Sequence, residues 1–331
     1  MEDNKIDLSI VIPAYNAEYY IKDCINSILT NEKINYEIII VNDCSSDSTS
    51  KIVTDIKHYD KRIKLINNNY NLGVSASRNI GIQNSTGKFI TFVDADDFLL
   101  DGIYDKLCFN MSDKNDIIVF NYCERKEGKI YNSKYHMKSG VIDSDSGIKL
   151  ALKDKLPLSS WVYIINRDLI QKKQLYFNPE IKIAEDSLFI LELINAADSM
   201  FVSEMVGYIY NQNDSSAMHK LNNNIFQLNS IYKYFSKELT NHLKSMPYEL
   251  AFFESLCNIK TIHAISNSSV KEKKMYLKKV YDRQKLHYIL KCSDFPLYVR
   301  IETLLLIVLG INGHLLFYPT YIVLKKIIRR N

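Results

Sequence analysis

Two clusters of acidic side chains in this sequence have the composition and spacing to do chemistry. In the first, Asp94, Asp96 and Asp97 follow directly on the apolar run Phe89–Val93. Two carboxylates about 4 Å apart repel each other by roughly 4 kcal/mol at an effective dielectric constant near 20. A divalent cation such as Mg²⁺ or Mn²⁺ removes this repulsion, and it prefers carboxylate oxygens as ligands. The cluster therefore predicts a metal site; a solvated turn in which Asp97 caps the next helix is the alternative.

The second cluster is the pair Glu185-Asp186, at the start of a predicted helix over Glu185–Ala196. A carboxylate within hydrogen-bond reach of a hydroxyl can accept its proton while the oxygen attacks another atom. Glu185-Asp186 is thus a candidate pair for accepting a proton. Alternatively, acidic residues in the first turn only stabilise the helix through its dipole.

Strand and helix patterns alternate over the first hundred residues and place the first cluster. Short apolar runs predict strands at Leu8–Ile12, Glu37–Val41, Ile63–Ile66 and Phe89–Val93. Helical spacing predicts helices at Tyr19–Leu29, Ser48–Tyr59 and Ser75–Asn84. Such alternation predicts an α/β fold with a mostly parallel sheet, whose ligands lie beyond the carboxyl ends of the strands. Polar residues follow three of these strands, which predicts one site at that edge.

The rest of the chain is less regular and then becomes helical. Ile117–Tyr122 and Met200–Tyr210 read as extended, and residues 124–140 read as a polar hairpin or loop. Beyond residue 221 the pattern predicts only helices, over 224–243, 248–266 and 271–290, followed by a hydrophobic segment from residue 297. We therefore expect a boundary near residue 100 and another near residue 220.

Composition excludes several classes of protein. With 331 residues, 47% of them apolar and 24% charged, the chain can bury a large core and is not disordered overall. Its six cysteines form no CxxC pair, which argues against a structural zinc site or a disulfide scaffold and fits a reducing compartment. The polar, acidic first residues do not resemble a signal peptide. The first strand is not followed by GxGxxG, which argues against a dinucleotide oxidoreductase.

Charge is distributed unevenly, and the C-terminal part is basic. Residues 1–220 carry 25 basic and 31 acidic side chains, a net charge of −6, whereas residues 221–331 carry 17 and 7, a net charge of +10. The sequence has no nucleic-acid-binding motif, so we expect no nucleic-acid partner. An anionic membrane surface is the expected partner of this region.

The segment Thr303–Leu324 carries no Asp, Glu, Lys or Arg. As one helix it would be roughly 33 Å long, enough to span a bilayer. Because Asn312-Gly313-His314 interrupts it, we expect two short apolar pieces that lie in the membrane interface, followed by Lys325-Lys326 and Arg329-Arg330. A spanning helix, or a helical core or contact in a homo-oligomer, are the alternatives.

Four segments resemble, in order and spacing, conserved blocks of the family 2 glycosyltransferases. They are Leu8–Asn16, Ile39–Asp47, Asn71–Gly81 and Phe92–Asp97. The resemblance is detailed over residues 7–100 and continues as short islands to about residue 220. It implies a GT-A fold, with a Rossmann-like, mostly parallel sheet flanked by helices and a helical C-terminal extension. Residues 1–100 would then bind the nucleotide-sugar, residues 101–220 the acceptor, and residues 221–331 the membrane.

The resemblance also assigns roles on the donor side. It implies that the nucleotide is bound by Pro13, Ala14, Tyr15, Asp43, Gly73, Arg78, Asp94 and Ala95. Tyr15 would flank the base, Asp43 would accept from a uracil N–H, and Arg78 would lie near the base or the diphosphate. The alternatives are an Asx-turn for Asp43 and a surface ion pair for Arg78. Asp96 would ligate the metal directly, and Asp94 would contact the ribose or the metal.

On the acceptor side the resemblance implies that Asp186 is the general base, and that Glu185 orients the acceptor or Asp186. Trp161, the one tryptophan of the chain, would line the acceptor site, and a core tryptophan is the alternative. His219 is placed like a histidine that completes the metal site in some relatives, and a structural histidine is the alternative.

Together these assignments imply an inverting, Mn²⁺- or Mg²⁺-dependent glycosyltransferase that uses a UDP-sugar. Its acceptor would be a glycan, most simply a lipid-linked one, in the synthesis of a bacterial capsule, lipopolysaccharide or related polymer. The enzyme would be cytoplasmic and peripheral to the inner face of the membrane. A nucleotidyltransferase and a non-catalytic, nucleotide-binding membrane subunit are the rival hypotheses.

Overall fold

The computed structural model describes residues 5–212, 227, 231, 245–268 and 272–328. The chain forms two compact units, of which the first comprises Met1–Ala151, Lys155–Glu180 and Glu185–Asn213. The second comprises Leu152–Asp154, Ile181–Ala184 and Asp214–Asn331. His219 and most of the predicted helix over 224–243 lie outside the described residues, and the other candidate site residues belong to the first unit.

The first unit is built on one mixed sheet of ten strands. These are β1 (Leu8–Ala14), β2 (Tyr36–Asn42), β3 (Ile63–Asn67), β4 (Phe89–Phe92), β5 (Phe98–Leu99), β6 (Ile117–Lys126), β7 (Lys129–Asn132), β8 (Gly140–Asp143), β9 (Tyr163–Asn166) and β10 (Ser199–Asn211). Eight follow the order β3-β2-β1-β4-β9-β6-β10-β5, while β7 pairs with β6 and β8 with β10. Strands from both predicted halves of the domain thus share one sheet.

Its helices are α1 (Ile21–Ile28), α2 (Thr49–Tyr59), α3 (Val74–Asn84), α4 (Ile103–Leu107), α5 (Ser144–Leu152), α6 (Arg167–Lys173) and α7 (Glu185–Ala196). The strands and helices predicted for the first hundred residues are all present, with ends that differ by at most two residues. Residues 124–140 contain the hairpin β6–β7, as expected. The predicted α/β fold is confirmed.

The parallel part of the sheet positions the site. Strands β3, β2, β1 and β4 run parallel, and the pairing of Ala14 with Asn42 brings the carboxyl ends of β1 and β2 to the same edge. On the other side of β1, the backbone N–H of Val93 donates to Val11, so the chain leaves β4 near that edge. Strands β1, β2 and β4 are buried almost throughout, which explains their continuous apolar runs. The antiparallel insertion of β9 beside β4 has no counterpart in the prediction.

The described part of the second unit is helical: α8 (Pro247–Asn267), α9 (Lys273–Val280), α10 (Arg283–Lys291) and α11 (Leu297–Ile328). The prediction of one helix over 271–290 is wrong, because the helix is interrupted at Tyr281-Asp282. The backbone of Asp282 is extended, and its carboxylate accepts from the N–H groups of Gln284 and Lys285 as the N-cap of α10.

The hydrophobic C-terminal segment is interrupted, but not where the sequence suggested. The non-helical residue in α11 is Gly310, with φ 64° and ψ −174°, a conformation that glycine adopts without a steric penalty. Residues 312–314 remain helical. His314 is buried, with its Nε2 3.1 Å from Ser266 Oγ, so it is part of the packing of this unit.

A substitution at Gly81 tests how closely α3 packs on β1. A Cβ atom at this position would overlap the side chain of Val11. We expect Gly81→Ala to lower the free energy of unfolding by about 1–3 kcal/mol, because a packed interface cannot expand without strain. Chemical denaturation measures the difference. Gly140→Ala is the control, since a Cβ there meets no atom within 4 Å; equal stability of the two variants would contradict the packing argument.

Candidate active site

One buried arginine joins the two acidic clusters that the sequence singles out. Arg78 lies on α3 with 3% of its side chain exposed. Its Nη2 donates to Asp94 Oδ1 at 2.8 Å, and its Nη1 donates to Asp186 Oδ1 at 2.5 Å and to Glu185 Oε1 at 3.1 Å. The end of β4 and the start of α7 therefore meet at a single guanidinium. Three carboxylates face one cation, which leaves the site with an excess of negative charge.

The acidic pair at the start of α7 is positioned from two sides. Asp186 Oδ1 accepts from Arg78, and its Oδ2 accepts from the backbone N–H and the hydroxyl of Ser160, both at 3.0 Å. The side chains of Glu185 and Asp186 remain 14% and 16% exposed. The pair is thus held rigidly without being sealed from solvent.

The environment of this pair favours proton transfer near neutral pH. Burial raises the pKa of Asp186, although Arg78 lowers it in part. Burial and the neighbouring Asp186 carboxylate raise the pKa of Glu185 to about 7 against the opposing effect of Arg78. A carboxylate with such a pKa can accept a proton and release it again at physiological pH.

The turn after β4 is fixed by a carboxylate that the sequence did not single out for this role. Asp97 is fully buried; its Oδ2 accepts from the hydroxyl of Tyr208 and its Oδ1 accepts from the backbone N–H of Asn211, both at 2.7 Å. Burial, together with the nearby carboxylates of Asp94 and Asp96, raises the pKa of Asp97 well above its usual value. The alternative in which a solvated Asp97 caps a helix is therefore wrong.

The chemistry of this turn fits a divalent cation. Asp94 and Asp96 supply partly exposed carboxylate oxygens, which are hard ligands of the kind that Mg²⁺ and Mn²⁺ bind. Among the described residues no group of three or more His, Cys, Asp or Glu side chains is arranged to hold a metal. Mg²⁺ is typically held by one or two protein carboxylates together with substrate phosphates, so this arrangement suits a cation that arrives with a diphosphate.

The candidate nucleotide-binding residues lie in loops at the ends of β1 and β2. Asp43 is buried, and its carboxylate accepts from the backbone N–H groups of Leu72 and Gly73 and from Asn68 Nδ2, each at 2.8 Å. Gly73 has φ 89°, which favours glycine, and it directly precedes α3. Asp43 therefore orders the loop that leads to Arg78.

Other residues on the donor side differ in exposure. Pro13 and Ala14 are the last residues of β1, and the ring of Tyr15 is 54% exposed beyond them. Ala95, between the two candidate metal ligands, is 7% exposed. Tyr15 is the one of these side chains with a large open face, as a residue that flanks a base requires.

Trp161 lies within an aromatic cluster rather than along an open surface. It is 6% exposed, and its ring stacks on Tyr208 at 4.3 Å and on Tyr210 at 5.8 Å between centroids. The edge of Tyr122 packs against it at 4.8 Å. These are the surroundings of a core tryptophan, the alternative given for this residue.

Sequence reasoning missed Ser160 and Tyr208 as parts of the site. A period-two signal was present for Tyr208, because Tyr208 and Tyr210 alternate on an extended segment and so share one face. Nothing local in the sequence indicated that Ser160 would meet a carboxylate 26 residues further along the chain.

The raised pKa of Glu185 makes a prediction about stability. In the folded protein the pKa of Glu185 is about 7, whereas in the unfolded chain it is 4.5. The unfolded chain therefore releases this proton first, and the free energy of unfolding falls as the pH rises from 4.5 to about 7. Between pH 4.5 and pH 8 we expect the free energy of unfolding of Glu185→Gln to rise by up to about 3 kcal/mol relative to that of the unsubstituted protein. Denaturant titrations at both pH values measure this gain. Glu204→Gln, at an exposed position, is the control, and a pH-independent difference for Glu185→Gln would contradict the prediction.

Comparison with known proteins identifies the family of this chain. The family model "Glycosyl transferase family 2" matches residues 9–176. "Uncharacterized glycosyltransferase EpsJ" of Bacillus subtilis is 30% identical over 63% of this chain and 62% of its own length. "GalNAc(5)-diNAcBac-PP-undecaprenol beta-1,3-glucosyltransferase" of Campylobacter jejuni is 29% identical over 55% of this chain and 58% of its own. Each of these two matches spans less than two thirds of the relative's own length.

A solved structure shares the fold. The crystal structure of S. aureus TarS residues 1–349 in complex with UDP-GlcNAc superposes with a TM-score of 0.69, at 20% identity, over 96% of this chain and 91% of that one. The fold is thus that of the GT-A glycosyltransferases, a mixed sheet flanked by helices with further helices at the C-terminus. The match of the family model to half of the chain shows that this protein belongs to glycosyl transferase family 2.

Proposed function

We propose that this protein is an inverting glycosyltransferase that transfers a sugar from a UDP-sugar to a hydroxyl group of a lipid-linked glycan. The observation that carries the proposal is the contact of Arg78 with both Asp94 and Asp186. It puts a carboxylate turn suited to a cation and diphosphate next to a carboxylate pair suited to accepting a proton. A single displacement needs the carboxylate turn to stabilise the leaving group and the carboxylate pair to activate the nucleophile.

Asp186 is the proposed general base. The acceptor hydroxyl attacks the anomeric carbon, the bond from that carbon to the diphosphate oxygen breaks, and the hydroxyl proton passes to the carboxylate. Ser160 and Arg78 hold both oxygens of Asp186 in place, so little reorganisation is needed as the proton moves. Attack opposite to the leaving group inverts the configuration at the anomeric carbon.

The leaving group is accommodated by the turn after β4. Asp94 and Asp96 would hold Mn²⁺ or Mg²⁺, and such a cation stabilises the negative charge that develops on a departing diphosphate. Arg78 fixes one oxygen of Asp94 and so limits the orientations of its carboxylate. Because the surrounding carboxylates outnumber this guanidinium, a diphosphate without a cation would be repelled, and donor binding is expected to depend on the metal.

The loops after β1 and β2 would bind the nucleotide. The exposed ring of Tyr15 can flank a base, and Pro13, Ala14, Gly73 and Ala95 supply backbone. Asp43 already accepts three hydrogen bonds. A carboxylate has about four acceptor positions, so one remains for a uracil N–H. The complex of TarS with UDP-GlcNAc, which has the same fold, supports this class of donor.

The second unit supports a membrane-bound acceptor. On α11 the exposed side chains of Leu297, Ile301, Leu304 and Val308 recur at intervals of four, three and four residues and so form one apolar stripe. Leu297–Pro319 is long and apolar enough to cross a bilayer, and only 28% of its most apolar 18-residue stretch is buried within the protein. Residues 221–331 carry a net charge of +10, which attracts anionic lipid.

From these features we propose that α11 lies on the inner face of the cell membrane, with the protein otherwise in the cytoplasm. The undecaprenol in the name of the Campylobacter jejuni relative supports a lipid-linked acceptor, and polysaccharide assembly is the proposed setting. All six cysteines are unpaired, as in a reducing compartment.

Donor hydrolysis and transfer test the activity. We expect the purified protein with Mn²⁺ to release UDP from one member of a panel of UDP-sugars. Asp96→Ala should abolish release, and Asp186→Asn should slow transfer by about 10²–10⁴-fold through loss of the base. Asp113→Asn is the control, because that carboxylate forms a surface ion pair with Lys88 and is 88% exposed. Unchanged UDP release by Asp96→Ala, or no binding of UDP in calorimetry, would contradict the proposal. Formation of pyrophosphate from UTP and a sugar phosphate would instead favour nucleotidyl transfer.

Vesicle co-sedimentation tests the membrane surface. We expect binding to vesicles that contain phosphatidylglycerol and weaker binding to pure phosphatidylcholine. Val308→Asp, in the apolar stripe where Val308 is 69% exposed, should weaken binding by about tenfold or more, since burial of one such side chain contributes about 1.5 kcal/mol. Phe109→Asp is the matched control, because Phe109 is 90% exposed in the other unit. Equal loss in both variants, or none in either, would refute a role for α11.

A further inference from the structure

The hydroxyl of Tyr208 connects β10 to the turn that carries the proposed metal ligands. It accepts from the backbone N–H of Asp94 at 3.1 Å and donates to Asp97 Oδ2 at 2.7 Å. Asp97 Oδ1 in turn accepts from the backbone N–H of Asn211, further along the same strand. The carbonyl of Asp96 accepts from Asn211 Nδ2 at 3.3 Å. Each of the residues 94, 96 and 97 is thereby tied to β10.

The ring of Tyr208 is itself fixed in position. Tyr208 is fully buried, and its ring lies 4.3 Å from that of Trp161 at an interplanar angle of 17°. Its backbone pairs with Leu99 of β5, the strand that follows the turn. The position of the hydroxyl is therefore fixed relative to the turn.

We infer that Tyr208 and Asp97 are positioning residues that hold the carboxylates of Asp94 and Asp96 in the arrangement that binds a divalent cation with the diphosphate. The inference rests on the proposed function. Neither residue touches the substrate or the cation in this scheme. They act through the shape of the turn, as groups that orient metal ligands do elsewhere, where their removal weakens metal binding by about 10–100-fold.

The test is the affinity for Mn²⁺ in the presence of UDP, measured by calorimetry on the full chain. Tyr208→Phe removes only the hydroxyl and keeps the stacked ring. We expect its Mn²⁺ affinity to fall by about tenfold or more. The emission spectrum of Trp161, the single tryptophan, should stay unchanged and so report an intact ring stack.

Tyr163→Phe is the matched control. Tyr163 is also buried, and its hydroxyl donates to the carbonyl of Pro157 at 2.7 Å rather than to a residue of the turn. Both tyrosine variants should lower the midpoint of thermal unfolding, and only Tyr208→Phe should lose Mn²⁺ affinity. Asp97 accepts through both of its oxygens, whereas an amide has one acceptor oxygen, so Asp97→Asn loses one of the two hydrogen bonds to β10 and should also weaken Mn²⁺ binding.

The outcomes separate this inference from the proposed function. If the unsubstituted protein binds UDP and Mn²⁺, and the folded Tyr208→Phe and Asp97→Asn variants bind them equally well, the inference is wrong while the function stands. An equal loss of Mn²⁺ affinity in Tyr163→Phe also overturns it. If the unsubstituted protein binds no Mn²⁺ with UDP, the proposed function fails, and the inference fails with it.

Discussion

The burial of one guanidinium is the constraint on which the site depends. Taking a charge out of water costs several kcal/mol unless it is paired and hydrogen-bonded. Arg78 is 3% exposed; burial lowers its pKa, but Asp186, Asp94 and Glu185 together raise the pKa above the usual value, so the guanidinium stays charged. Its planar fork offers donors in two directions, and each direction is taken by a different part of the chain. The start of α7 and the end of β4 therefore meet at α3, where their carboxylates pair with the two terminal nitrogens of the guanidinium.

The same contact explains why the acidic residues of the site behave differently from one another. Asp94 pairs with Arg78 and stays partly exposed, which suits a ligand. Asp97 is buried, accepts a hydrogen bond from Tyr208 and has a raised pKa, and it fixes the backbone of the turn. Glu185 has a pKa near neutrality because burial and Asp186 outweigh Arg78. Under the proposed function, environment rather than residue type would assign one carboxylate to the cation, one to the fold and a pair to proton transfer.

How much the sequence predicted follows from the range of each interaction. Strand and helix periodicity is local, so β1 to β4 and α1 to α3 were predicted almost to their ends, and the ordered motifs placed Asp94 and Asp186 in one site. The partners of Arg78 were not predictable from the residues alone, because Asp186 lies 108 positions away, and the same holds for Asp97 and Tyr208 at 111. The break at Gly310 was missed for a different reason, since Asn312-Gly313-His314, two to four positions later, looked more disruptive than Gly310 alone.

The loops after β1 and β2 are held together by hydrogen bonds between them. Asn16 and Cys44, in the loops after β1 and β2, adopt positive φ angles of 49° and 60°, which are uncommon for residues other than glycine and cost of order 1 kcal/mol each. The loops offset this cost by bonding to each other: Asn16 donates its backbone N–H to Ser45 Oγ, and its side chain accepts from the backbone N–H of Ser46. Under the proposed function, a nucleotide would not have to order these loops, and its binding energy would be available to bring the diphosphate to the turn.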